Sequence, residues 1–543
     1  MTCRTLRRSL FPLAMLASAL LWLPPAGAQE LGTITFATSG DAAAQPAFLE
    51  GVKALHSFQF DEAAAAFRKA QQIDPDFALS FWGEAMSHNH PLWAQQDREA
   101  AQQILEALAP TLEGRLAKAG LPTERAFLEA AERLYYGPDD KLARDRAYAD
   151  YMAQMYERWP DDHEVATFYA LSLLGTVRPG DTGFRRQALA ASIAIEVFDE
   201  NPNHPGAAHF IIHSFDDPEH APLGLPAARA YAGIAPAAAH ALHMPSHIFV
   251  QLGMWADVVA SNIDAYAAAV EVNRRLSLPE GREDFHTLSW LAYANLMLGK
   301  FDDALANVER ARAVMERNPD NAGIRDGYLG MRARYILETR EWERIPVEGD
   351  GEHAGHDAMP GMTQSGGGAW LFIAGASAAK LGDVATADAA AAELGRMRAQ
   401  IADEGSAYRA QSVAILESEV AALASLARGE PNAAIRLARD AAEIERLMAP
   451  PSGPPEPIKP AHELYGEVLL AANRPADAVA AFEQALLRTP KRTPSLLGLA
   501  RAAQAAGDAA TARRAYTEIV QMPGAAVGSP AVREARGWLA GKR

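Results

Sequence analysis

The chain has 543 residues, with 68 Asp and Glu against 51 Lys and Arg, and a formal net charge of −17. That balance excludes a nucleic-acid binder, whose affinity for phosphate needs clustered Lys and Arg. A 49% hydrophobic fraction fits a globular protein and excludes a disordered one, and a single cysteine, Cys3, excludes a disulfide scaffold, a Cys-based zinc site and a Cys-ligated iron–sulfur cluster.

Residues 1–28 read as a secretory signal. Arg4, Arg7 and Arg8 form a basic start, Leu10 to Leu23 is mostly apolar, and Ala26-Gly27-Ala28 after Pro24-Pro25 is a small-residue cleavage site before Gln29. Cleavage removes Cys3, and a cysteine-free product suits an oxidising compartment. The expected location is the periplasm or the exterior. No later apolar run is expected to span a membrane, and no stable membrane insertion is expected after cleavage. Residues 29–45 follow as an extended lead-in, because 31–40 (LGTITFATSG) has strand-like composition.

From residue 46 onward the chain repeats. Gly51, Ala63, Phe67, Ala70 and Pro75 have the same spacing as Gly466, Ala478, Phe482, Ala485 and Pro490, and Ala500, Ala512 and Tyr516 continue it. A 34-residue period with small residues and an aromatic at fixed offsets resembles the tetratricopeptide repeat (TPR) family. The HSFDDP and HMPSH segments resemble a group of exported bacterial TPR proteins. The resemblance implies an all-α fold: a right-handed TPR-type α-solenoid of stacked antiparallel helix pairs.

Weaker units fall between these ends. Their turns are expected at Asp216-Asp217-Pro218, Gly253-Met254-Trp255, Leu298-Gly299-Lys300-Phe301, Lys380-Leu381-Gly382-Asp383 and Ala427-Arg428-Gly429-Glu430. The organisation expected is an N-terminal solenoid over 46–320, degenerate helical repeats over 321–458, and C-terminal repeats over 459–543. The glycine-rich stretch 347–368 reads as a loop, and Pro450 to Pro460 as a linker or an ordered turn.

Seven of the 15 histidines lie between His204 and His247. His209 and His213 are four apart, as are His243 and His247, so on helices each pair shares a face. In the TPR register, first-helix positions 2, 5 and 9 line the groove. His240, His243 and His247 take those positions in one unit, His209 and His213 take 5 and 9 in another, and His286 takes position 2 of a third. His56 falls at position 13 of the first unit. Facing pairs of this kind build transition-metal sites from imidazoles.

The candidate metal ligands are therefore His209, His213, His243, His247 and His286. Imidazole donors suit zinc, copper or iron. His353, His356, Met359 and Met362 in the glycine-rich stretch would add thioether donors and favour copper, and Glu84, Glu164, Asp216 and Asp217 are candidate carboxylate partners. Pro245 is the weak point: if it starts a new helix, His243 is expected to leave the shared face. Neither pair is HExxH, and no catalytic triad, phosphate loop or dinucleotide fingerprint is visible. Two functions follow: metal binding, up to a metalloenzyme whose ion activates water or dioxygen, or a non-catalytic scaffold binding a peptide or partner protein in the groove.

Overall fold

The structure, a computed structural model, describes residues 30–181, 183–277, 284–347 and 364–541. The signal segment and the His353, His356, Met359 and Met362 group lie outside the described residues. Within them the chain is all-α, apart from a two-residue ribbon pairing Asn89–His90 with Gln95–Gln96. Through nearly all of the described residues consecutive helices pack against each other, and several alternate helices touch as well. That is the contact pattern of stacked helix pairs, in which no single pair can bury its apolar face.

The repeat signal has a direct packing cause. Phe67 is fully buried with Gly51 on one side and Gly83 on the other, and a Cβ on either glycine would come within 2.8 Å or 2.4 Å of its ring. Phe482 sits the same way between Gly466 and Gly498, with 2.8 Å and 2.3 Å. The aromatic of each second helix thus needs a side-chain-free helix face both before and after it, which is why these glycines recur at fixed spacing.

The turns within pairs follow the sequence. Gly253, Gly299, Gly382, Gly429 and Gly507 end first helices with φ between +62° and +83°, the left-handed conformation that glycine adopts without strain. In the first repeat this position is Phe58, at φ +53°. A bulky residue there costs on the order of 1–3 kcal/mol.

Residues 31–40 form neither helix nor strand and pack as a lead-in, with Thr33 N donating to Asn203 O (2.9 Å) and Ser39 N donating to Glu124 (2.6 Å). Other expectations need correction. The stretch read as a loop to residue 368 is helical from Gln364, with Gly368 close enough to Leu416 that a Cβ would touch it at 3.4 Å. Helix Ala407–Ala427 has the length and mean hydropathy (1.2) of a spanning segment, but Val413, Ile415, Leu416 and Val420 are buried in the repeat core.

The Pro-rich segment is ordered and packs inside the array. Pro451 O accepts from Gln251 Nε2 (2.7 Å), Pro455 O accepts from Arg334 (3.1 Å), and Gly453 lies against Trp290. The C-terminal repeats then dock on both the N-terminal solenoid and the central repeats. Trp255 Nε1 donates to Lys491 O (3.0 Å), and the buried Arg492 pairs with Glu463 (2.8 Å) and Glu338 (2.6 Å).

Candidate metal centre

Seven helices build the histidine-rich site: α1 (Gln45–His56), α2 (His163–Gly175), α3 (Pro205–Ser214), α4 (Ala239–His243), α5 (Pro245–Gln251), α6 (Trp255–Leu276) and α7 (Phe285–Met297). Helix α3, the α4–α5 segment and α7 are the first helices of three successive pairs. Pro245 does start a new helix, as its missing N–H requires. Met244 between them keeps helical dihedrals (φ −54°, ψ −35°), so the i, i+4 relation survives and His243 stays beside His247.

The histidines fall into two triads. In the first, His209 Nε2 lies 3.0 Å from His213 Nε2 and 3.1 Å from His240 Nε2. In the second, His243 Nε2 lies 3.1 Å from His247 Nε2 and 2.9 Å from His286 Nε2. Each triad joins neighbouring helix pairs. His240 was not among the candidates drawn from the sequence, although its groove register marked it. The five that were drawn divide between the triads, two in the first and three in the second.

The outer nitrogens fix the tautomers. His247 Nδ1 faces Asp216 Oδ2 at 2.6 Å, and a carboxylate only accepts, so Nδ1 carries the proton. Asn262 donates through Nδ2 to Val258 O (2.8 Å), which turns its Oδ1 towards His243 Nδ1 (2.7 Å), and that nitrogen donates too. His209 Nδ1 donates to His56 O (2.6 Å). His209, His243 and His247 therefore present Nε2 lone pairs to the centre of their triads. These outer hydrogen bonds are the kind that orient a metal-ligating imidazole and raise its basicity.

Two lone pairs facing each other at 3.1 Å repel unless a cation lies between them. A proton on His243 is disfavoured. Burial drives His243, His213 and His240 well below the ordinary imidazole range. It drives His209 to about 3 and His286 to about 4. A metal ion fits: nitrogens bound tetrahedrally at 2.0–2.1 Å stand about 3.3 Å apart.

A third cluster, His56, Glu164 and His204, is bound together by its carboxylate, with His56 Nδ1 left unpartnered. His204 Nδ1 accepts from Ala207 N (3.2 Å) at the start of α3, so its Nε2 donates to Glu164 Oε1 (3.2 Å). His56 Nε2 lies 2.7 Å from Glu164 Oε2. Burial pushes the Glu164 carboxyl up, but the two histidines outweigh it and hold it at about 2. This network anchors the end of α1, whose His56 carbonyl orients His209. Gly206 permits it, since a Cβ there would come within 2.5 Å of His56 Nδ1.

Of the four candidate carboxylates, only Asp216 touches a triad. Glu164 serves the His56 network, Asp217 pairs with His220 (2.8 Å) and Glu84 pairs with Arg68 (2.9 Å). Aromatic rings wall both triads. Phe58 lies 4.4 Å from His209 and 5.5 Å from His240 by ring centroid, and Trp290 lies 4.4 Å from His247. Phe58 is the residue held at positive φ, so the strain of the first turn is spent at this wall. His209, His243 and His247 are buried, whereas His213, His240 and His286 keep partial exposure at the residue level.

No protein-family model matches the chain, and no curated protein matches it in sequence. Among solved structures, the crystal structure of the yeast Tom70 covers 92% of this chain and 95% of its own, at 10% identity and a TM-score of 0.27. At that score the likeness is too slight to build on, and the helical-repeat architecture stands on the helix pairs themselves.

Proposed function

We propose that this chain is an exported, TPR-like helical repeat protein that binds transition-metal ions in two three-histidine sites, His209–His213–His240 and His243–His247–His286. The observation that carries this reading is the pair His243 and His247. Each has its Nδ1 committed to an oxygen acceptor and its Nε2 aimed at the other. A hydrogen-bonded groove surface for peptides has no use for opposed lone pairs in a buried setting, whereas metal ligation requires them.

The donor set narrows the ion. All six donors are imidazoles, which suit zinc, copper, iron and nickel; oxygen-seeking magnesium, calcium and manganese are disfavoured. Three protein ligands per ion leave a position for an outside ligand, as in catalytic rather than closed structural sites. Export rests on the signal-like sequence of residues 1–28.

The test is metal analysis of untagged protein purified from metal-supplemented cells, before and after dialysis against a chelator. Retained copper or zinc that is lost on chelation and regained on reloading supports the reading. A protein that neither retains nor takes up metal refutes it. The histidines would then be groove lining for a peptide or partner protein.

A further inference from the structure

We propose, resting on the metal-binding reading above, that the two triads are halves of a single dinuclear copper centre, in which each ion takes three imidazoles from the protein and the two share one bridging oxygen ligand derived from water. The triads are not merely on the same face. The His213 and His247 ring centroids are 5.8 Å apart, and those of His240 and His243 are 6.3 Å apart. Neither gap admits another side chain. Helix α4 is a common wall, because His240 and His243, three residues apart on it, serve opposite triads. Ions seated in both would be near neighbours, the arrangement of two-metal sites, whose ions stand roughly 3.5–4 Å apart.

Stoichiometry of donors points the same way. Each triad supplies three nitrogens, one short of a tetrahedral set. Asp216, the carboxylate that touches a triad, is committed to His247 Nδ1 on the outer side. Among the described residues no fourth ligand joins either triad, so the missing ligand of each ion is assigned to the solvent. Two cations held so close repel, and one small anion between them relieves that repulsion while completing both coordination shells. Water supplies it: one water binds both ions through its oxygen and releases one proton to solvent, leaving a bridging hydroxide. The partial exposure of His213, His240 and His286 gives that water its entry, while Phe58 and Trp290 keep the other walls dry.

Copper is favoured because it stands highest among divalent first-row metals for nitrogen donors. Six imidazoles bring no negative charge, and the bridging hydroxide supplies one.

The experiment loads untagged, chelator-stripped protein with copper(II), removes excess by dialysis, and measures copper per chain together with its electron spin resonance intensity. The expected result is two coppers per chain with most of the spin signal missing, because one-atom bridging couples the two unpaired electrons. His213→Ala and His286→Ala, one in each triad, should each retain one copper and restore its full signal. The unsubstituted protein decides the matter even if a variant fails to fold. Two coppers with full spin intensity, or one copper per chain, would overturn the shared centre and leave metal binding standing. No copper uptake would sink the metal-binding reading itself.

Discussion

Asp216→Asn isolates what the outer carboxylate does for the second triad. The Asp216 side chain is 6% exposed, and its Oδ2 accepts from His247 Nδ1 at 2.6 Å while Oδ1 accepts from Gln251 (3.2 Å). Asparagine keeps the shape and an acceptor oxygen but removes the charge. An ion on His247 Nε2 would stand roughly 6 Å from the carboxylate; for a monovalent ion at an effective dielectric of about 20 that attraction is worth about 2.8 kcal/mol. Losing such an outer partner costs typically 10–100-fold in metal affinity, or about 1.4–2.8 kcal/mol, and the electrostatic figure falls at the top of that range. Competition of the stripped protein with a chromogenic copper(I) chelator reads the two dissociation constants directly. One should rise 10–100-fold and the other far less. If neither constant moves while the variant remains folded, His247 is not a ligand oriented by Asp216, and the assignment of the second triad is wrong.

Two further outcomes follow from the same geometry. His213→Ala should lower metal occupancy and metal-dependent thermal stability together, because an ion joining α3 to α4 stabilises only the folded state, by about 2.7 kcal/mol when free metal is 100-fold above the dissociation constant; parent and variant melting at the same temperature both with and without chelator would contradict this. The metal-free protein should lose stability on acidification. Histidines whose folded pKa is depressed (about 3 for His209 and about 4 for His286) bind fewer protons folded than unfolded, so their contribution is full above the unfolded value of about 6.5 and falls by about 1.4 kcal/mol per histidine per pH unit below it. Urea melts in chelator at pH 7 and pH 5 check the sign, and a midpoint that holds or rises at pH 5 would be the wrong one.

The repeat pairs were legible because a few residues carry their packing. Phe67 and Phe482 each need glycine on both neighbouring helices, and the left-handed turns at Gly253, Gly299, Gly382 and Gly429 need it again, so the period is written in residue identity. Phe58 defied that rule: nothing local says that a phenylalanine will hold a glycine's conformation, and the reason emerges only when its ring is seen against His209, His213 and His240.

The histidine spacing showed which residues share a face but not how they divide. His240 and His243 sit on one short helix and go to different triads because α3 and α7 approach α4 from opposite sides, and that is tertiary information. Pro245 was misleading for a similar reason. It interrupts the helical hydrogen bonding but not the helical course of the backbone through Met244. The supporting residues lie far from their partners in the chain: Asp216 is 31 residues from His247, and Glu164 is 108 from His56. Pairings across such distances leave no local pattern.

The most direct measurement is X-ray diffraction from crystals of the untagged, copper-loaded protein, collected at the copper absorption edge. Two anomalous peaks, each within about 2.0–2.1 Å of three Nε2 atoms, one in the His209–His213–His240 triad and one in the His243–His247–His286 triad, are the predicted result. Anomalous signal confined to other sites, with the six imidazoles hydrogen-bonded to water or to a peptide, would contradict the account.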